Sequence, residues 1–256
     1  MSNSTIQRRR EIMDYLQDEN FCSINTLIEH FNVAPATLRR DMTILEKDGL
    51  VQRTHGSVRL VTPSPVPDFS ERRTIYPEEK SRISRCAAKL VHDGDTILLD
   101  GGTSTLGILP HIRERQNITL ITNSIAAVSM CPPTLTNVTI LGGQLDASNL
   151  STYGPYAEQM LDQFSASILF ISTTGIYGTE GMTTHSPYQA SIKRKMIQRS
   201  QKRVLLVDSH KFKQAGTFRF ATFSDIDILI TSEPIQDLTL RQHLDLLGVE
   251  TLVAEK

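Results

Sequence analysis

The chain has 256 residues, a formal net charge of −1, 39% hydrophobic residues and 21% charged residues. These values fit an ordinary globular protein made of one large domain, or of a small domain and a medium one. They exclude a chain that attracts nucleic acid through its bulk charge, so any such contact needs a local arrangement of basic residues.

The cysteines and the first residues indicate the cellular compartment. Cys22, Cys86 and Cys131 lie far apart and form no Cys-x-x-Cys pair, which argues against a disulfide framework and a zinc site. Residues 1–10 are polar and basic without an apolar stretch behind them, so no signal peptide is expected. No run reaches the roughly 18 apolar residues of a membrane span. We expect a cytoplasmic protein without a membrane partner, a metal ion or another cofactor.

A proline-rich segment marks the first boundary along the chain. Residues 62–67 contain three prolines, which favour an extended and semi-rigid connection. We expect a first domain over residues 1–61, a linker over residues 62–77 and a second domain over residues 78–256.

The first domain is predicted to form three helices and a hairpin. The first helix covers residues 5–17. Ser23 is a suitable N-cap for a short second helix, whose apolar residues recur at i, i+3, i+4 and i+7. Pro35 suits the first position of a third helix. Two short strands are expected at residues 50–54 and 58–61.

The third helix has an apolar side and a basic side. On a wheel of about 100° per residue, Leu38, Met42 and Leu45 point one way. Arginine can fork onto guanine or bind phosphate, and threonine can reach a phosphate or a thymine methyl group. An ordinary solvated helix face is the alternative. The opposite side carries Ala36, Arg39, Arg40 and Thr43.

The arrangement of these elements favours DNA binding. A short helix, a turn and a helix with an outward basic face make a helix-turn-helix, and the hairpin supplies a wing. Arg8, Arg9 and Arg10 add charge at the start of the first helix. Residues 1–61 hold eight Lys or Arg and eight Asp or Glu, so the prediction depends on arrangement and not on composition. The predicted DNA-contacting residues are Pro35, Ala36, Thr37, Arg39, Arg40, Thr43, Arg53, His55 and Gly56.

The second domain alternates short apolar runs with helical patterns, which is typical of an α/β fold. Continuous apolar strands separated by helices predict a Rossmann-like parallel sheet covered on both faces. Ligands bind such sheets beyond the carboxyl ends of the strands. The expected strands cover residues 96–99, 118–121, 138–141, 168–171, 204–207 and 228–230, and the expected helices include residues 78–91, 187–200 and 236–247.

A glycine-rich turn follows the first of these strands. Gly101 and Gly102 let the backbone approach a ligand closely, and the hydroxyls and free N–H groups that follow can hold an anion such as phosphate. The run matches neither the dinucleotide-binding fingerprint nor a Walker loop. A purely structural turn is the alternative.

Polar residues also follow other strands and could converge on one polyol phosphate. Lys211 can supply the counter-charge, and Asp100 or Asn123 can bond sugar hydroxyls. For Lys193, a solvated helix face is an equal alternative. The predicted effector-binding residues are Asp100, Gly101, Gly102, Thr103, Ser104, Thr105, Thr122, Asn123, Ser124, Gly142, Gly143, Gly175, Lys193 and Lys211.

Runs in both domains resemble the DeoR family of bacterial sugar-metabolism regulators. This resemblance spans nearly the whole chain. It implies a recognition helix with a wing, an effector domain similar in fold to ribose-phosphate isomerase, and a phosphorylated sugar as effector. The matching runs are residues 34–42, 45–46, 49 and 53–56, then Glu79-Lys80, residues 100–103, 122–124, 142–143, Gly154, Asp208 and Lys211-Phe212.

Three positions depart from the family pattern. Ala34 stands where a capping serine is usual, and Ser57 replaces the second glycine of the wing turn. His210 stands where a serine or threonine is common, which leaves its role open.

We therefore expect a sequence-specific DNA-binding regulator, most simply a repressor of a sugar catabolic operon that a phosphorylated sugar releases from DNA. A dimer or tetramer is expected, because paired half-sites compensate for the small contact area of one winged helix. A sugar-phosphate isomerase or deaminase is the alternative, but no motif joins Asp100, Glu180, His185 and Asp208, so no catalytic residues are assigned. A protein-interaction module that docks through the winged helix is a third possibility.

Overall fold

The computed structural model describes residues 7–9, 11–13, 15–16, 22–47, 51–54, 57–60 and 67–255. The side chains of residues 47, 52–54, 57, 59 and 60 lie outside this description. The chain divides into two compact units, Met1–Pro67 and Asp68–Lys256.

The helices of the first unit follow the expected pattern. Residues 7–9, 11–13 and 15–16 are helical. Helix α1 (Ile24–Phe31) begins at Ser23, whose side chain accepts a hydrogen bond from the Thr26 N–H, and it ends at Asn32 in the left-handed conformation (φ 46°). Helix α2 (Pro35–Lys47) starts on a proline, as predicted from the fixed φ of that residue.

A small antiparallel sheet completes the first unit. Strands β2 (Val51–Thr54) and β3 (Ser57–Leu60) form a hairpin, and β1 (Cys22–Ser23) pairs with β3. A helix-turn-helix followed by this hairpin confirms the winged helix-turn-helix class. Its core consists of Ile12, Leu16, Cys22, Leu27, Leu38, Met42, Leu45, Val51 and Val58.

The described strands of the second unit are, in chain order, β4 (Thr96–Leu99), β5 (Thr119–Thr122), β6 (Asn137–Ile140), β7 (Gln144–Asp146), β8 (Ser151–Tyr153), β9 (Ala166–Ser172), β10 (Gly175–Tyr177), β11 (Gly181–Thr184), β12 (Ser200–Val207), β13 (Phe218–Ala221), β14 (Ile228–Thr231) and β15 (Glu250–Val253). Seven of them form the main sheet, whose strand order is β15-β14-β12-β9-β4-β5-β6, with every pairing parallel.

Helices cover both faces of this sheet, and the side chains of each strand alternate between two cores. Ile97 and Leu99 pack in one core, whereas Leu98 between them packs in the other. The buried strand residues of the sheet are apolar except for Thr122 and Thr231 at two strand ends, and the pairings confirm the predicted parallel sheet. The helices are α3 (Phe69–Thr74), α4 (Pro77–Ala88), α5 (Thr103–Leu106), α6 (Ile125–Met130), α7 (Pro155–Leu161), α8 (Pro187–Gln198) and α9 (Leu238–Leu247).

Two small sheets lie outside the predicted elements. Strands β7 and β8 form one hairpin, and β10, β11 and β13 form a three-stranded antiparallel sheet. The hairpin turn between β10 and β11 contains Glu180.

The interval predicted as a linker contains a helix. Asp68 and Glu71 form a reciprocal capping box that starts α3, and Phe69 is buried in the core of the second unit. The linker over residues 62–77 was predicted from the prolines of residues 62–67. Local capping and the burial of one aromatic ring stabilise α3 immediately after those prolines. Among the described residues, no helix has the length and apolar character needed to cross a membrane.

Candidate nucleic-acid interface and anion pocket

The exposed side of α2 carries two arginines. Arg39 and Arg40 are exposed together with Ala36 and Thr43, whereas Leu38 on the opposite side is fully buried. The Thr43 hydroxyl donates to the Arg39 carbonyl oxygen at 2.9 Å, so its proton is used within the helix. The guanidinium groups are therefore the main donors that this surface can offer to phosphates or base edges. Of the other predicted contacts, Pro35 is exposed and Thr37 is half-buried.

Arg8 and Arg9 belong to the interior contacts of this unit. The Asp41 carboxylate, which is 2% exposed, accepts hydrogen bonds from Arg8 Nε at 2.8 Å and from Arg9 Nε at 2.7 Å. Both arginines are thus engaged by α2 itself, and they do not simply add charge to the surface. Arg10, His55, Gly56 and the Arg53 side chain lie outside the described residues.

In the second unit, Asp100 and Lys193 form a buried ion pair. Asp100 follows β4, and its Oδ2 accepts hydrogen bonds from Lys193 Nζ at 2.6 Å and from the Ser172 hydroxyl at 2.7 Å. Burial lowers the pKa of Lys193, and the neighbouring Asp100 opposes that effect. The alternative of a solvated helix face is wrong for Lys193, whose side chain is 8% exposed.

The glycine-rich turn after β4 is tightly packed. A Cβ on Gly102 would lie 2.0 Å from Ser172 Oγ, so only glycine fits there. The Thr105 hydroxyl bonds to the carbonyl oxygens of Asp100 and Gly102 at 2.6 and 2.7 Å. Helix α5, which begins at Thr103 and contains Ser104 and Thr105, is a single turn. The Thr105 hydroxyl, predicted as a ligand contact, therefore stabilises the turn itself.

The next strand end offers one unused polar atom. The Thr122 hydroxyl donates to the Leu99 carbonyl oxygen at 2.8 Å, and Ser124 caps α6. The Asn123 side chain donates to the Thr152 carbonyl oxygen at 3.0 Å, but its Oδ1 is buried without a hydrogen-bond partner. A Cβ built on Gly101 would lie 3.6 Å from this oxygen, so Gly101 and Asn123 border the same space.

Two of the remaining predicted glycines serve close backbone packing. Gly143 has φ +132°, and a Cβ there would lie 2.5 Å from the Tyr153 carbonyl oxygen. A Cβ on Gly175 would lie 2.1 Å from the Gln214 carbonyl oxygen. These contacts explain Gly143 and Gly175 without any ligand. At Gly142, whose N–H donates to Met160 Sδ at 3.1 Å, a Cβ would make only an ordinary contact of 3.5 Å with that sulfur.

Three cations lie near these strand ends, and among the described residues none of them has a carboxylate oxygen within salt-bridge distance, although nearby acids act on them at longer range. Arg72 of α3, Lys80 of α4 and Lys211 of the 3-10 turn Ser209–Lys213 interact electrostatically with one another. Among the described residues none of the three forms a salt bridge. Lys80 Nζ donates to the Arg72 carbonyl oxygen, and the Arg72 guanidinium donates to Asn149 Oδ1. We call Arg72, Lys80 and Lys211 the cation cluster.

Burial and mutual repulsion lower the pKa values of the cation cluster. For Lys80, burial is the main cause, Asp208 opposes it, and the nearby Lys211 adds to it, so that its pKa falls to about 8. Burial also lowers the pKa of Arg72 and of Lys211. The same positive field contributes to His185, whose pKa is lowered by burial first and then by Lys211 and Arg72. An anion in this place would remove the repulsion.

Three buried polar atoms of the described residues have no hydrogen-bond partner. They are Arg72 Nε, Asn123 Oδ1 and Asp208 Oδ1. Buried polar groups are normally paired, so each of these atoms is available to a ligand or to water. The first is a donor suited to an anion, and the other two are acceptors suited to hydroxyl groups. The arrangement can therefore hold a small molecule that has both an anionic group and hydroxyls.

No role is predicted for Arg72 from sequence, because it lies in the segment predicted as a linker, and Lys80 is predicted only as part of a run that resembles the family. The pattern Asp68-x-x-Glu71 could have revealed the helix that carries Arg72, since a capping box predicts the start of a helix. No local pattern could have joined Arg72 to Lys211, which lies far along the chain.

Two family models match the chain. Residues 8–64 match the DeoR-like helix-turn-helix domain, and residues 76–233 match the DeoR C terminal sensor domain. Among curated relatives, the transcriptional repressor AccR of Agrobacterium fabrum is 33% identical over 90% of each chain. The HTH-type transcriptional repressor GlcR of Bacillus subtilis is 31% identical over 98% of this chain and 96% of its own. The HTH-type transcriptional regulator IolR of Bacillus subtilis is 27% identical over 91% of this chain and 93% of its own.

Solved structures give a weaker similarity. The ribose 5-phosphate isomerase A of Methanocaldococcus jannaschii aligns with a TM-score of 0.39 and 17% identity, over 53% of this chain and 54% of that chain. No function is inferred from it.

Proposed function

The chain belongs to the DeoR family of transcription regulators, and from this membership we propose that it is a repressor that leaves its operator when a phosphorylated sugar binds the second unit. Both family domains are matched, and two of the relatives described above are named repressors. An isomerase or deaminase is not favoured, because such an enzyme has no use for a helix-turn-helix domain.

The first unit would contact operator DNA through α2. Arg39 and Arg40 are the proposed base and phosphate contacts, since both are exposed on the side that faces away from the core. Pro35, Ala36, Thr37 and Thr43 would border the same groove. The wing would add Arg53, His55 and Gly56. The protein would act in the cytoplasm, where operator DNA is found.

The cation cluster carries the proposal of a phosphorylated ligand. Arg72, Lys80 and Lys211 interact electrostatically and form no salt bridge among the described residues, so a dianionic phosphate could pair with all three. Asn123 Oδ1 and Asp208 Oδ1 are the unpaired acceptors beside them, and they suit sugar hydroxyls. The predicted glycine-rich turn at Gly101 to Thr105 would border the ligand and shape the pocket.

Release from DNA requires that the ligand distinguish two states of the protein. A ligand shifts a conformational equilibrium only by its differential affinity for the two states. By linkage, operator DNA must weaken the binding of the effector by the same factor as the effector weakens the binding of DNA. We also propose a dimer or tetramer assembled through the second unit, because two recognition helices on paired half-sites bind far more tightly than one.

A ligand screen coupled to DNA release tests this function. Phosphorylated sugars are screened by thermal shift, and each hit is tested for release of the full chain from the DNA upstream of its own gene. Lys211→Ala should bind that DNA as the parent does, while its affinity for the hit falls roughly tenfold to a hundredfold through the loss of charge-assisted bonds. Unchanged affinity in this variant, measured by calorimetry, would exclude Lys211 as the anion contact. A screen in which no phosphorylated sugar binds would contradict the proposed effector class.

A further inference from the structure

The corner between α3 and α4 is held in an unfavourable backbone conformation. Tyr76 has φ 50° and ψ 51°, the left-handed region in which a Cβ crowds the backbone, and it is followed by Pro77. Non-glycine residues persist in this region only where neighbouring contacts hold them, and such places cluster at ligand-binding and switch sites. The corner therefore needs a contact that fixes it.

His210, which is distant from Tyr76 in the sequence, makes a ring contact with it. The rings of Tyr76 and His210 are stacked, with centroids 3.5 Å apart and an angle of 5° between their planes. Both side chains are partly exposed, Tyr76 at 42% as a residue and His210 at 37% for its side chain. His210 lies next to Lys211 in the turn Ser209–Lys213, so the stack joins the α3–α4 corner to the turn that carries one member of the cation cluster.

Polar contacts support the same junction. His210 Nδ1 lies 3.6 Å from Glu79 Oε1 and 3.9 Å from Asp208 Oδ1. Glu79, in the first turn of α4, accepts hydrogen bonds from the Ser209 hydroxyl at 3.1 Å and from the Ser232 hydroxyl. Glu79 thus holds the start of the turn, while Lys80 holds the end of α3 through the Arg72 carbonyl oxygen. Tyr76 lies between these two attachments.

We propose that Tyr76 and His210 form a positioning pair that fixes the α3–α4 corner against the turn Ser209–Lys213, so that Arg72, Lys80 and Lys211 face one anionic group. The pair acts through the cations and is not itself the anion contact. The proposal rests on the proposed function in one respect, namely that the ligand carries a phosphate. It assigns a role to His210, one of the three positions at which this chain departs from the family pattern.

A purely packing role is the competing explanation, and substitutions at the two positions separate the two. Tyr76→Phe keeps the stacked ring, whereas Tyr76→Gly removes the ring and relieves the left-handed strain. His210→Ser removes the stack and introduces a residue type common in the family. Tyr156→Phe is the matched control, because Tyr156 is 72% exposed on α7, away from these contacts.

Calorimetry of the full chain with inorganic phosphate gives the first measurement. Tyr76→Gly and His210→Ser should each raise the dissociation constant for phosphate by about twofold to tenfold, the range typical of one aromatic pair. The double variant should bind no more weakly than either single variant, because the two residues act as one unit. Tyr76→Phe should stay within about twofold of the parent, as should the Tyr156 control. Parental phosphate affinity in His210→Ser, or additive losses in the double variant, would overturn the proposal.

Hydrogen exchange without any ligand gives an independent measurement. The amides of residues 69–76 should exchange faster in His210→Ser than in the parent or in Tyr76→Phe, because the corner is no longer held. Equal exchange in all of them contradicts the positioning role. If the parent binds no phosphate but its corner is protected by the stack, the proposed effector class fails while the positioning pair stands.

Discussion

The Asp41 carboxylate of α2 accepts a hydrogen bond of 2.8 Å from Arg8 in the helical segment that precedes it by more than 30 residues. Arg9 binds the other carboxylate oxygen at 2.7 Å, and Asp41 is 2% exposed. The recognition helix is therefore held by a buried acid between two arginines. Arg8, Arg9 and Arg10 therefore do not act together as a basic surface for DNA, because Arg8 and Arg9 are bound to Asp41.

Asp41→Asn should destabilise the first unit. The substitution keeps the shape of the side chain but leaves Arg8 and Arg9 without their charged acceptor, at a cost of about 1–3 kcal/mol. Thermal unfolding followed by circular dichroism measures the loss, and Glu29→Gln, an exposed acid on α1, is the control. A variant as stable as the parent would mean that the two arginine contacts contribute nothing net.

Arg39→Ala and Arg40→Ala should weaken operator binding with little effect on stability, because both side chains are exposed. Loss of a forked contact to a base should cost about 1–3 kcal/mol, whereas loss of a phosphate contact should weaken binding to all sequences and reduce its salt dependence. Gel-shift titrations at two salt concentrations separate these cases. Parental affinity in the double variant would refute the assignment of α2 as the recognition helix.

Lys193→Met should be strongly destabilising. It leaves the buried Asp100 carboxylate without its cation, and breaking a buried pair on one side typically costs about 3–5 kcal/mol. The double variant Asp100→Asn/Lys193→Met should recover part of that loss, since no buried charge remains. Chemical denaturation compares the three proteins. A loss of only about 1 kcal/mol in the single variant would show that the pair behaves like an exposed one.

Anion binding should weaken as the pH rises above about 8. The pKa of Lys80 is lowered from 10.5 to about 8, so the side chain is cationic below that pH and becomes neutral above it. Ionisation of inorganic phosphate itself cannot cause this weakening, because the ion becomes more negative, and not less, as the pH rises from 7 to 9. Calorimetry with inorganic phosphate between pH 7 and pH 9 should show a rising dissociation constant. Lys80→Arg should flatten the profile, since arginine stays charged; an unchanged slope in that variant would assign the titration to another group.

The oligomeric state can be tested directly. Light scattering of the full chain should show at least a dimer at micromolar concentration, both with and without operator DNA. A monomer under both conditions would contradict the proposed dimer or tetramer and its binding to paired half-sites.

The sequence alone determined the local elements with strong periodic signals. Ser23 and Pro35 start their helices through capping and a fixed backbone angle, which depend only on neighbouring residues. The strand at Thr96–Leu99 was predicted at its observed bounds, because a continuous apolar run between turn residues specifies a strand buried on both faces. The resemblance to the family was likewise visible in short runs of neighbouring residues.

Only the tertiary structure decided which charges are paired and which are available. Arg8 and Arg72 both lie in helical segments, yet one is bound to the buried Asp41 and the other has an unpaired Nε in the cation cluster. Lys193 and Lys211 both suited an anion site, but Lys193 is held by Asp100. The energy of a charge depends on its burial and on partners that lie tens to more than a hundred residues away, and no local pattern encodes that distance.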